Sequence, residues 1–217
     1  MNLKFNKIVV ICILTICFFI TLFPYKNLPE EIVTHWDISG EPNGSMPKIL
    51  GAMIIPLILL GLDVLLFALP NIDPLKKNVL KFKPFYEGFI ILFSIFLLLI
   101  QMHLILWNLG IQINPSFLIS FLLPILFFYI GILCEKSKRN WFIGIRNPWT
   151  LSSDFVWEKT HKIGAKLFKV SAAISLLGII FKKLAIYFIL IPLIFIFVYT
   201  FIYSYYVYSK KTKNKKK

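Results

Sequence analysis

The sequence predicts an all-α integral membrane protein: a bundle of about six transmembrane helices, each near the roughly 17–25 residues a span requires, with both termini cytoplasmic. Three observations carry that expectation. Hydrophobic residues make up 58% of the 217-residue chain and charged residues only 16%, against about 45–50% and about 25% in a soluble domain. The apolar residues come in long runs that lack the periodic polar face of a helix lying against water. The cations fall between those runs with a strong bias to one side.

The first run, Ile8–Phe23, is the shortest, but Phe5 and Tyr25 extend it and Lys7 can snorkel to a surface. Lys4 and Lys7 ahead of an apolar stretch are also the opening of a signal peptide. No small-x-small pattern follows, however, and Pro24, Tyr25 and Lys26 come next, so a retained helix is expected. The other runs are Ile49–Pro70, Phe89–Trp107, Ser116–Cys134, Gly164–Phe181 and Leu184–Val207. Only Lys182 and Lys183 part the last two. One helix through both would place two cations in hydrocarbon at about 2.5–3.5 kcal/mol each, so a hairpin is expected there.

With the N-terminus inside, the cytoplasmic segments hold Lys4 and Lys7, then Lys76, Lys77, Lys81 and Lys83, eight cations from Lys136 to Lys169 and six from Lys210 to Lys217. That is 20 of the 24, and the outer side keeps Lys26, Lys48, Lys182 and Lys183. The reverse orientation would export most of the positive charge. The formal net charge of +14 would suggest nucleic acid in a soluble protein. Here it reads as topology and as attraction to membrane lipid, with no direct nucleic-acid partner expected. The organisation is a two-span unit over 1–70 with an extracytoplasmic loop at 24–48, a four-span unit over 71–209 with a cytoplasmic loop at 135–163, and a basic tail at 210–217.

The outer loop alternates Ile32, Thr34 and Trp36 with Val33, His35 and Asp37 before the turn-formers Gly40, Pro42, Asn43 and Gly44. A short extended segment closed by turns is expected, serving as a cap on the helix ends or as a ligand contact through His35, Trp36, Asp37, Gly40 and Pro42. One histidine with Asp37, Glu30 and Glu31 is a poor metal donor set, and no metal or other cofactor is expected. Cys12, Cys17 and Cys134 all lie in apolar runs and read as packing residues.

The inner loop is aromatic and basic. Pro148 pushes Asn147 out of the α region, and Ser152 or Ser153 can cap a helix with Asp154 in its first turn. On that helix Trp157, His161, Gly164 and Phe168 share one face, and Glu158 and Lys162 form an i,i+4 pair. The helix is expected to lie along the inner surface and run into the fifth span. Arg146 suits a phosphate head group, an acidic partner or a helix C-terminus. Within the spans, Asp63, Gln101 and His103 are functional candidates because ionisable and polar residues are costly there. An axial offset of about 13 Å, at 1.5 Å rise per residue, argues against a direct Asp63–His103 pair. No catalytic motif is visible, and the protein is not expected to be an enzyme.

Two stretches carry a family resemblance. "NWFIGIRNPWTLSSDFVWEKTHKIG", from Asn140 to Gly164, resembles the signature loop of the SdpI family, bacterial membrane proteins named for immunity to a secreted sporulation-delaying toxin. "LPEEIVTHWDISGEPNG", from Leu28 to Gly44, resembles the small uncharacterised domain that commonly precedes it. The resemblance implies a cell-membrane immunity protein with a peptide toxin as partner outside and, in a sensing role, a transcriptional repressor held at the membrane inside. It maps motif positions onto Pro29, His35, Trp36, Gly40 and Pro42 outside, and onto Gly144, Arg146, Pro148, Trp149, Thr150, Trp157, Thr160 and His161 inside. Val33 stands where proline is common and Asn147 where threonine is common. The alternative function is a small transporter or exporter that uses Asp63 and His103.

Overall fold

The structure, a computed structural model, describes residues 3–215; Lys216 and Lys217 of the basic tail lie outside the described residues. The helices are α1 (Leu3–Leu22), α2 (Lys48–Ile72), α3 (Lys76–Asn108), α4 (Pro115–Lys136), the short α5 (Pro148–Ser152), α6 (Asp154–Ser175), the single turn α7 (Leu177–Ile180) and α8 (Ala185–Lys215). Two strands, β1 (Glu31–Trp36) and β2 (Pro42–Pro47), lie between α1 and α2.

Five helical stretches are long and apolar enough to cross a membrane, and α1 adds the shorter apolar stretch Asn6–Leu22. The expected first crossing therefore falls on the shortest apolar helix. Ile11, Phe19, Val64, Ile180, Phe197 and Ile202 all expose about half or more of their surface on the outside of the bundle. Apolar exposure on this scale, far beyond the patches of a water-soluble monomer, fits a lipid solvent. This is a multi-pass cell-membrane protein.

Helices α1, α2 and α3 pack together, as do α4, α6 and α8, and α3 lies against α4 to join the two groups. Hydrocarbon offers no hydrophobic drive for helix association, so close packing and interhelical hydrogen bonds hold the bundle. Val10, Val79, Phe82, Tyr86, Ile90, Leu133 and Ile143 form one buried cluster, and Phe127, Ala172 and Ile189 another. The break before Lys182 is real: Phe181 leaves helical geometry, Lys182–Leu184 form one 3-10 turn, and α8 returns along α6.

The all-α bundle is as expected, and the extended segment expected in the outer loop pairs into a two-stranded antiparallel sheet. Three details differ from the sequence expectations. The third spanning helix begins at Lys76 rather than near Phe89, because four lysines end the apolar run without ending the helix. Helix α6 is uninterrupted from Asp154 to Ser175 and runs into the fifth span as expected, but its start does not lie along a surface. Its first turns already pack inward: Trp157 is fully buried, and its indole N–H donates to the Ser137 carbonyl at the end of α4. Finally, Glu158 pairs with Lys138 at 3.0 Å rather than with Lys162, since the loop after α4 brings a cation closer than the next helical turn does.

Candidate functional site

The hairpin end is built from both strands and the ends of three helices. The strands pair Glu31 with Pro47, Ile32 with Met46, Val33 with Ser45, His35 with Gly44 and Trp36 with Pro42, with irregularities on either side of His35. Asp37 organises the turn: its carboxylate accepts from the Ser39 N–H and hydroxyl and from the Glu41 N–H. Gly40 closes the turn at a φ of +90°. Those donors, the Ser39 hydroxyl first, hold the Asp37 carboxyl below its usual range. Its support for the turn is thus fully present above the ordinary carboxylate pKa and is lost as pH falls through the lowered value.

Asn108, the last residue of α3, docks the hairpin. Its side-chain oxygen accepts from the Val33 N–H at 2.8 Å, and its amide donates to the Val33 carbonyl at 3.0 Å. Ile32 is fully buried with Leu28, Ala52, Leu104 and Ile105. Trp36 lies edge-on against both His103 and Trp107, at 5.3 Å between ring centroids in each case.

Beneath the hairpin is a cavity of about 730 Å³. Ile100 of α3, Leu118 and Ile119 of α4, and Ile186 and Ile189 of α8 supply apolar lining; His35, Asp37, Asn43, His103 and Ser116 supply polar lining. Of the outer candidates, His35, Trp36 and Asp37 line this cavity with His103, whereas Gly40 and Pro42 shape the turn beside it. His35 Nδ1 is bonded to the Asn43 side chain. His103 Nε2 donates to the Ile113 carbonyl at 2.7 Å. The buried indole N–H of Trp36 has no acceptor among the described residues.

The remaining intramembrane candidates lie apart from this cavity. Gln101 donates to the Thr21 hydroxyl at 2.8 Å and the Ala52 carbonyl at 2.9 Å, tying α1 and α2 to α3; such bonds are worth roughly 1 kcal/mol each in a membrane. Asp63 is within 2.8 Å of the Ser94 hydroxyl, and its second oxygen has no partner among the described residues. Asp63 and His103 thus keep separate partners. Sequence reasoning missed Glu87, which is buried, accepts from the Asn6 amide at 2.6 Å and sits 3.8 Å from Lys83. The rule that singled out Asp63 would have found it had α3 been started at Lys76.

At the other end, residues 137–153 form a hydrogen-bonded knot. Asn140 accepts from the Phe142 and Ile143 N–H groups and donates to the Lys138 and Ile143 carbonyls. Asp73, between α2 and α3, accepts from the Trp141 N–H at 2.9 Å. Asn147 caps α5: its side chain accepts from the Thr150 N–H while the Thr150 hydroxyl accepts from the Asn147 N–H, with Pro148 in the first turn. The Asn147 amide also reaches Ser204 of α8 at 2.8 Å. Trp149 packs on Phe201 and Tyr205. Ser153 caps α6, and Arg139 binds Asp154 at 2.6 Å.

His161 is the centre of the knot. It stacks on Trp157 at 4.0 Å between centroids and is buried. The Ile145 N–H can only donate, so Nε2 accepts it at 2.9 Å, and Nδ1 is left to donate to the Trp157 carbonyl at 2.9 Å. His161 is therefore a neutral imidazole with a fixed tautomer. Gly144 has a φ of +119° and passes so close that an added Cβ would lie 2.5 Å from His161 Nε2. Thr160 is buried, and its hydroxyl has no partner among the described residues. Arg146 differs from the rest: it is exposed, donates once to the Trp141 carbonyl, and has no carboxylate partner among the described residues.

This knot, with α6 and the greater part of α8, lies within residues 136–204, which match the model of the SdpI/YfhL protein family. The segment ends at Ser204, the partner of Asn147. Residues 10–60, covering most of α1, the hairpin and the first half of α2, match a domain of unknown function, DUF1648. The chain is 28% identical over 165 residues to Immunity protein SdpI of Bacillus subtilis (strain 168), which covers 76% of this chain and 77% of that protein. No solved structure matches. The two positions at which the resemblance leads one to expect another residue have structural counterparts. A proline at 33 would lack the N–H that Val33 gives Asn108, and a threonine at 147 could cap α5 but not donate an amide to Ser204.

Proposed function

We propose that this chain is a membrane immunity protein that protects its cell against a secreted, membrane-active peptide, engaged at the cavity under the hairpin. The likeness to Immunity protein SdpI supports the immunity role. The observation that carries the proposed contact is the cavity itself: about 730 Å³ with aliphatic lining from three helices and polar lining from the hairpin. That size falls within the roughly 300–1,000 Å³ of small-ligand sites and accommodates a few apolar side chains of a peptide. The Trp36 ring lines the cavity, held edge-on against His103 and Trp107. The reading is a binding one, not a catalytic one. His35 and His103 are each bonded to a neighbouring oxygen.

Expression in a toxin-sensitive bacterium tests the role. Cells carrying the chain should survive the peptide produced from its genomic neighbourhood, whereas an equally abundant unrelated membrane protein should not protect. Equal killing of both strains would overturn the immunity reading.

The orientation belongs to the same proposal, and the 20-to-4 cation split supports it. In a background with Cys12, Cys17 and Cys134 replaced, Glu41→Cys and Lys183→Cys should react with an impermeant thiol reagent added to intact cells. Ser152→Cys should react only after lysis; labelling of Ser152→Cys from outside would invert the topology.

A sensing role is supported by Arg146, which is exposed and makes one side-chain bond among the described residues, to the Trp141 carbonyl, leaving its other N–H donors for an acidic cytoplasmic partner such as a repressor. Arg146→Ala should leave abundance and protection intact while the repressor moves from the membrane fraction to the cytosol. A fall in abundance would return Arg146 to a folding role.

A further inference from the structure

We propose that the groove between α6 and α8 at the basic end is a binding site for one anionic phospholipid, held by its phosphate head group. The groove measures about 600 Å³ and is lined by Phe155 and Lys159 of α6 and by Tyr203, Tyr206, Val207, Lys210 and Lys211 of α8. Three of its seven lining residues are cationic and none is acidic. The two carboxylates adjacent to it in sequence, Asp154 and Glu158, are engaged by Arg139 at 2.6 Å and by Lys138 at 3.0 Å.

The groove is polarised along the helices as a phospholipid is. Lys210 and Lys211 lie at its outer rim, while Tyr203 is seven residues back toward the apolar run, about 10 Å deeper at 1.5 Å per residue. Phosphate at the rim and an acyl chain over Tyr203 and Val207 would follow that gradient. The head of the groove is already organised. Lys211 Nζ donates to the Ser153 hydroxyl at 2.6 Å, and both Lys159 and Lys211 stand over the Phe155 ring, at 5.7 and 5.8 Å. Phe155 is in the first turn of α6, whose N-terminal dipole adds positive potential. Phe155 and Tyr206 are each about half exposed, at 47% and 59%, so a ligand reaches them without rearrangement of the bundle. Solvated lysines alone would give diffuse attraction to any anionic surface; this walled, amphipathic groove selects one molecule.

The test uses the full-length protein purified in a mild detergent and offered phosphatidylglycerol or phosphatidylcholine, with retained lipid counted by native mass spectrometry. The wild type should keep one phosphatidylglycerol and little phosphatidylcholine. The triple variant Lys159→Gln/Lys210→Gln/Lys211→Gln should lose affinity by tenfold or more, since each surface cation contributes about fivefold. The triple variant to arginine should retain it. Lys76→Gln/Lys77→Gln/Lys81→Gln removes equal charge elsewhere at this end and should bind as the wild type does. If the glutamine triple variant fails to purify, Lys210→Gln, at an exposed position, carries the test alone with a several-fold loss. Equal retention of both lipids, or equal loss in the Lys76/Lys77/Lys81 control, would overturn the site. Release of the lipid by millimolar inorganic phosphate would show that the groove takes free phosphate and would likewise overturn it.

Discussion

Gly144→Ala is expected to remove most of the protein from the membrane fraction. At a φ of +119° the new side chain would strain the backbone, at a cost of about 1–3 kcal/mol. Its Cβ would also lie 2.5 Å from His161 Nε2 and 3.2 Å from the Trp157 ring. Relieving that collision breaks the bond from the Ile145 N–H, and a buried polar group left without a partner costs a further 1–3 kcal/mol or so. The combined loss is a large part of the roughly 5–15 kcal/mol that holds a typical protein folded. Gly110→Ala is the internal control. Gly110 also has a positive φ, of +95°, but nothing lies within 4 Å of the Cβ it would gain. Its effect should be the strain alone. Membrane abundance and thermal melting in detergent should therefore rank wild type, Gly110→Ala and Gly144→Ala in that order. Equal behaviour of the two variants would mean that the His161 contact contributes nothing.

His35→Ala and Trp36→Phe should each cut survival under toxin at least tenfold with membrane abundance unchanged. His35 is exposed and its one side-chain bond is to Asn43 within the same hairpin, so its removal has little to destabilise. Trp36→Phe keeps a ring against His103 and Trp107 and deletes only the indole N–H and its outer ring. Trp36→Ala is the less informative change: emptying a packed indole site costs up to about 3–5 kcal/mol and would lower protection through folding alone. Full survival of both His35→Ala and Trp36→Phe would leave the hairpin as a cap over the helix ends, and the peptide contact would have to be sought elsewhere.

The spanning helices were legible because hydrocarbon leaves a chain few ways to cross it, and long apolar runs record that constraint. Their ends were not. The lysines at 76, 77, 81 and 83 look like a loop in a hydropathy profile, yet they stand on a helix that continues beyond the apolar layer. The alternation from Ile32 to Asp37 was enough to expect β1. Its partner, Pro-Asn-Gly-Ser-Met-Pro, is made of residues that strands generally avoid, and it pairs because β1 is already held by Asn108, far along the chain. The Ser153 cap could be read locally, but the tie from Asn147 to Ser204 and the tie from Asp73 to Trp141 join residues more than fifty positions apart. Resemblance to a family could mark Gly144 and His161 as motif positions; only their contact explains why a glycine and a histidine occupy them together.

Asn108 also bears on how the proposed peptide would be received at the hairpin end. By giving both a donor and an acceptor to Val33, it occupies the backbone hydrogen bonds of the residue midway along β1 as a neighbouring strand would. Along β2 the terminal residues Pro42 and Pro47 have no N–H to offer. The sheet is thus blunted on both margins against an added third strand. On the proposed function, a peptide arriving here would gain little as a sheet extension, a mode that tolerates many sequences. It would be recognised by the shape and chemistry of the side chains it places beneath the hairpin, which would make the hairpin end a discriminating receptor.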